Sequence, residues 1–145
     1  MSRLMLCAAL LSLLSGCPSC EAVDDPPAQT PAGALSVVVS GETATLIVSG
    51  VAGSLRAVQV DVVVAGGQAS AVDGLGHDLV EAGLAAENGG PKSSFTVVVA
   101  DTRRLPVNNG GVARLTIDDG ATVTLSNAFA IDAAGAKRAL TTDSN

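Results

Sequence analysis

The chain has 145 residues, 8 basic against 14 acidic side chains and a formal charge of −6. That balance excludes nucleic acid and anionic headgroups as partners, because both need a basic footprint. With one His, two Phe and neither Trp nor Tyr, the chain is also poor in the groups that carry catalysis or form flat sugar-binding platforms.

Residues 1–16 form an export signal. Arg3 precedes an almost unbroken apolar run from Leu4 to Leu14, and small residues close it. The run is too short to span a bilayer, which takes roughly 20 apolar residues. Leu14-Ser15-Gly16-Cys17 resembles the bacterial lipobox. The resemblance implies that Cys17 is acylated on sulfur and becomes the mature N-terminus, a lipid anchor in a bacterial membrane. The expected location is therefore the cell envelope. Because Pro18 rather than aspartate follows Cys17, a Gram-negative host with enterobacterial-type sorting would send it to the outer membrane rather than the inner.

Residues 17–32 carry the acylated cysteine and a tether. Proline, acid and small polar residues dominate it, a composition that buries too little to fold. Cys7 leaves with the signal and Cys17 takes the lipid, so Cys20 alone cannot staple the fold from within.

Residues 33–142 are one domain's worth of chain, followed by a tail at 143–145. Strand patterning with period two runs through the domain. Val58, Val60, Val62 and Val64 share one face of Leu55–Val64, and Gln59 and Asp61 share the other. Phe95, Val97 and Val99 point one way in Phe95–Ala100. Leu115 and Ile117 do so in Val112–Ile117, and Val123 and Leu125 in Thr122–Ser126. Weaker strands are expected at Leu35–Ser40, Thr43–Ser49, Ala69–Val72, Asn127–Ile131 and Ala139–Thr141. Asp78–Glu87 is expected to be irregular, with a short strand at Leu84–Ala86. Turn signals such as Ser40-Gly41, Gly66-Gly67, Asp73-Gly74 and Asp119-Gly120 separate these segments. Such spacing predicts an all-β protein, an antiparallel sandwich.

The order of features from Leu35 onward resembles the cohesin family. Leu35 to Gly50 resembles its opening hairpin. Ala57-Val-Gln-Val-Asp-Val-Val-Val64 resembles its third strand. Phe95–Ala100 with Gly110-Gly-Val-Ala-Arg-Leu-Thr-Ile117 resembles its late strand pair, and Asn127-Ala-Phe-Ala-Ile-Asp132 its closing strand. The resemblance implies a jelly-roll sandwich of about eight or nine strands, a topology also used by carbohydrate-binding modules. It further implies a non-catalytic domain that binds a protein through one sheet face.

No catalytic site is expected. His77, in Gly74-Leu-Gly-His-Asp78, reads as a solvated loop histidine, and no Gly-x-Ser-x-Gly accompanies it. Zinc lacks ligands. Asp73, Asp118 and Asp119, with Asp101 or Asp132, could offer oxygens to a structural calcium, but turn formation explains the Asp-Gly pairs without one. No cofactor is expected. Phe95 and Phe129 are expected to face inward, and the valine runs Val37–Val39, Val62–Val64 and Val97–Val99 to be buried.

Gln59 and Asp61 are the candidate binding residues, with an Asp61→Lys change expected to leave stability alone. Arg56 is one step out of phase and would need a strand irregularity to join them. The function expected is a membrane-anchored envelope lipoprotein with a protein-binding module. A carbohydrate-binding module is the alternative, or an envelope component without a soluble ligand.

Overall fold

The computed structural model describes residues 30–81, 90–105 and 110–143. The lipobox, Cys20 and the segment 82–89 lie outside the described residues. Ten strands are present and no helix among the described residues: β1 Ala34–Ser40, β2 Thr43–Ser49, β3 Leu55–Ala65, β4 Ala69–Asp73, β5 Asp78–Glu81, β6 Ser94–Leu105, β7 Gly110–Ile117, β8 Thr122–Asp132, β9 Lys137–Ala139 and β10 Thr141–Asp143. They form two five-stranded sheets, ordered β10-β1-β2-β7-β4 and β5-β6-β3-β8-β9.

The sandwich is the one the alternation predicts, and two details differ from it. Asp78–Glu81 is a strand paired with β6 rather than irregular chain. The C-terminal segment is two short strands rather than one. β9 pairs with β8 in one sheet, the chain passes through the buried Leu140, and β10 joins the other sheet beside β1. The β1–β10 pairing is parallel, so the β10-β1-β2-β7-β4 sheet is not purely antiparallel.

Those crossings stitch the domain shut where the chain enters it. The Ala32 amide donates to the Ala139 carbonyl at 2.9 Å and the Thr141 amide to the Gly33 carbonyl at 3.0 Å. Gly33 also lies close against the end of β2, where a Cβ would come within 2.7 Å of the Ser49 carbonyl oxygen.

The core lies between the sheets and is built from valine and leucine. Val58, Val60, Val62 and Val64 from β3 meet Phe95, Val97 and Val99 from β6 and Val123 and Leu125 from β8. Opposite them stand Leu35, Leu46, Val48, Val112 and Leu115. β-Branched residues suit this arrangement because their stiff side chains pack well on a pleated surface. No polar side chain is fully buried among the described residues.

The valine runs alternate instead of being wholly buried. Val38 is 51% exposed and Val63 42% exposed, while their neighbours Val37, Val62 and Val64 are in the core. A strand with one covered face must turn every second residue to solvent, so three consecutive valines cannot all be inward.

Candidate functional site

The outer face of the β5-β6-β3-β8-β9 sheet is where sequence and structure diverge most. Strand β8 begins with regular alternation, with Val123 and Leu125 inward and Thr122, Thr124 and Ser126 outward. Then Ser126 and Asn127 are both exposed, Ala128 and Ala130 turn inward, and Phe129 and Ile131 face outward. Pairing with β3 shows the cause. Gln59 stands opposite Phe129 but Asp61 opposite Ser126, so β8 carries one extra residue across that step. This is a β-bulge, which inserts a residue and reverses the phase of everything after it. Phe129 is therefore not in the core as its strand position suggests; the bulge places it on the surface.

Asn127 makes the bulge possible. Its φ is +50°, a left-handed conformation that asparagine adopts more readily than most residues. Its Nδ2 donates to Asp61 Oδ2 at 2.9 Å, and Thr96 Oγ1 donates to Asp61 Oδ1 at 2.7 Å. One carboxylate thus ties β3 to both its neighbours. The bond from Asn127, and then that from Thr96, holds the Asp61 carboxyl below its ordinary value of 3.8 against the opposing effect of burial. Asp61 thus faces outward as the alternation predicts, with both carboxylate oxygens hydrogen-bonded to neighbouring strands.

A shallow groove of about 490 Å³ opens beside this hub, lined by Gln59, Asn127, Ala128, Phe129, Lys137 and Ala139. The Lys137 ammonium lies 3.8 Å from the centre of the Phe129 ring. Gln59 is half-buried at its wall. The structure thus brings both sequence-predicted binding residues to one surface and adds Phe129 and Lys137, which sequence reasoning missed. The local signal for them was Asn127 itself, a residue of low strand propensity in the middle of an alternating run.

The irregularity that Arg56 requires is also present. Leu55 and Val58 both face the core, so Arg56 and Ala57 occupy the two positions between them. The pairing with β8 slips at this step, and Arg56 is exposed. Below it, Asp132 organises the β8–β9 turn. Its Oδ1 accepts from the Ala134 and Ala136 amides at 2.9 Å each, and its Oδ2 accepts from Arg138 Nε at 3.1 Å. The Ala136 amide and then Arg138 lower the Asp132 pKa.

His77 lies elsewhere and is not solvated. Its Nδ1 is 2.8 Å from Asp101 Oδ2, and both side chains are about 15% exposed. The pair fastens the β4–β5 loop to β6. In that loop Asp73 Oδ1 accepts from the Leu75 amide, a turn that explains the Asp73-Gly74 pair locally. Asp118 Oδ2 likewise accepts from the Gln68 amide at 2.9 Å. Among the described residues, no three His, Cys, Asp or Glu side chains converge as metal ligands.

No family model matches this chain. No curated protein matches it either. Solved structures do match in fold. The sixth cohesin of scaffoldin B from Acetivibrio cellulolyticus, solved with a mutant dockerin, superposes with a TM-score of 0.59 at 15% identity, over 77% of this chain and 94% of that one. A cohesin from a type I cohesin–dockerin complex of Clostridium thermocellum gives 0.56 at 11% identity, over 80% and 93%. A non-cellulosomal cohesin from the archaeon Archaeoglobus fulgidus gives 0.50 at 11% identity, over 76% and 85%. The domain therefore has the β-sandwich fold of cohesins.

Proposed function

We propose that this chain is a lipid-anchored lipoprotein of a bacterial cell envelope whose sandwich is a non-catalytic protein-binding module. The observation that carries the binding reading is Phe129. A bulge turns this aromatic out of the core and sets it beside Gln59 in a groove. Aromatic anchors contribute much of the binding energy of protein interfaces, and this ring lines a groove instead of the core. The cohesin fold supports the same class of partner, since two of the similar cohesins were solved with dockerins bound. The anchor reading rests on Leu14-Ser15-Gly16-Cys17 and the tether behind it.

Capture of envelope proteins on the full chain, with Phe129→Ala as the control, tests the binding reading. The variant should lose the partner while staying folded, its melting temperature lowered by no more than a few degrees. Equal recovery on both would move the site off this face. For the anchor, labelling with a palmitate analogue should mark the wild type and not Cys17→Ser, and fractionation should place the protein in the outer membrane of a Gram-negative host. The half-buried ring at the groove also gives the carbohydrate-binding alternative its one supporting feature; glycan binding lost on chelation of calcium would favour that alternative.

A further inference from the structure

We propose that the groove beside Phe129 seats a carboxylate of the partner protein: an acidic side chain next to an aliphatic one. This rests on the reading of the face as the protein-binding surface. Among the described residues, Lys137 is the only ionised one lining the groove. Its ammonium is held over the Phe129 ring at 3.8 Å, and no carboxylate of the described residues pairs with it. The next residue, Arg138, is by contrast matched to Asp132 at 3.1 Å. A cation fixed on an aromatic face has part of its hydration removed, which raises its preference for an anion that fits there.

The surroundings fit the same ligand. The Gln59 side chain makes no hydrogen bond within the described residues, so its amide can donate across the groove from Lys137. Ala128, Ala139 and the ring supply the apolar wall for an aliphatic neighbour. Asp61 is close by, but both its oxygens are engaged by Thr96 and Asn127. Its negative charge directs an incoming carboxylate to the Lys137 end. Register places Arg56 at that end too, because Ala57 pairs with Ile131, and Ile131 with Lys137, whereas Arg138 pairs with the inward Ala130 and turns to the other side of β9. Two of the chain's eight Lys and Arg residues, Lys137 and Arg56, thus stand at one end of the face of an acidic protein, giving local complementarity to an acidic side chain.

The test is an NMR titration of the isotope-labelled full chain in mild detergent. The probes are the capped peptide acetyl-Ala-Glu-Leu-Ala-amide and its Gln counterpart. The Glu peptide should shift the Gln59 side-chain amide and the Phe129 ring resonances saturably. Affinity should be about fivefold lower for the Gln peptide and for Lys137→Gln, and should fall with salt. Equal affinity for both peptides, no response, or no effect of Lys137→Gln would overturn the proposal. Tighter binding of an oligogalacturonate at the same resonances would overturn it in favour of an acidic glycan. Envelope capture separates this failure from that of the parent reading. Partner loss in Phe129→Ala but not in Lys137→Gln would keep the face and reject the carboxylate seat, whereas no loss in either variant would reject both.

Discussion

Strand β3 has two neighbours, and they treat it differently. With β6 it runs in unbroken register from Val63 opposite Ser94 to Ala57 opposite Ala100. With β8 the register slips between Gln59 and Asp61. The regular side keeps its alternation and builds core: each inward residue of β6 from Phe95 to Val99 is buried, while its outward Thr96 donates to Asp61. The irregular side spends one residue on a bulge and gains an outward aromatic, a groove and a carboxylate hub. Regular pairing maximises burial, and the departure from it marks where the surface has been shaped for something else.

The largest expected effect lies on the regular side. Val60 is 1% exposed between both neighbours, so Val60→Asp should place an unpaired charge in the core and unfold the domain, at a cost of about 4 kcal/mol or more. Circular dichroism would show loss of the β spectrum; a folded variant would mean that the centre of β3 admits water.

The two phenylalanines compare the sides directly. Phe95→Ala, in the core, should lose about 3 to 5 kcal/mol in urea unfolding. Phe129→Ala should lose about 1 kcal/mol or less, since its ring is half-exposed and retains only local packing. Similar losses in both would return Phe129 to the core and remove the bulge from the argument.

The bulge itself can be probed at Asn127. Asn127→Val puts a β-branched residue at φ +50° and removes the bond to Asp61, for an expected loss of about 2 to 3 kcal/mol. Asn127→Gly relieves the backbone while losing the same bond, for about 1 kcal/mol. If valine cost no more than glycine, the left-handed conformation would not be what asparagine supplies.

The smallest effect is the response to acid. Asp61 and Asp132 both have folded pKa values below the ordinary 3.8. Each therefore contributes stability that is complete above the unfolded value and is lost as pH falls through the lower folded one. Asp61→Asn should flatten the decline in stability below about pH 4. Asp132→Asn should do so less, because its turn is open to solvent and its interactions are screened. A steeper decline in either variant would reverse the sign and refute the assignment.

Much of the fold was legible in the chain because alternation and turn residues act locally. The buried face of β3, the inward positions of β6 and the β1–β2 hairpin follow from period two and from Gly41 at the turn. Gln59 and Asp61 were legible as outward polar residues for the same reason. Phe129 and Lys137 were not, because alternation extrapolated through Asn127 assigns Phe129 to the wrong face. His77 was misread because its partner Asp101 is distant in sequence and on another strand.

The sequence by itself determined that this is a β-sandwich with one valine-rich core. Side-chain period, β-branching and composition are properties of short windows, so no partner strand is needed to read them. Only the tertiary structure decided where β8 changes phase. Ser126-Asn127-Ala128-Phe129 would satisfy either register alone; the choice depends on β3 being alongside, with Asp61 placed to accept from Asn127 and so stabilise the extra residue. It also decided that the chain leaves one sheet and joins the other at Leu140, because β10 can reach its parallel pairing with β1 only once both sheets exist.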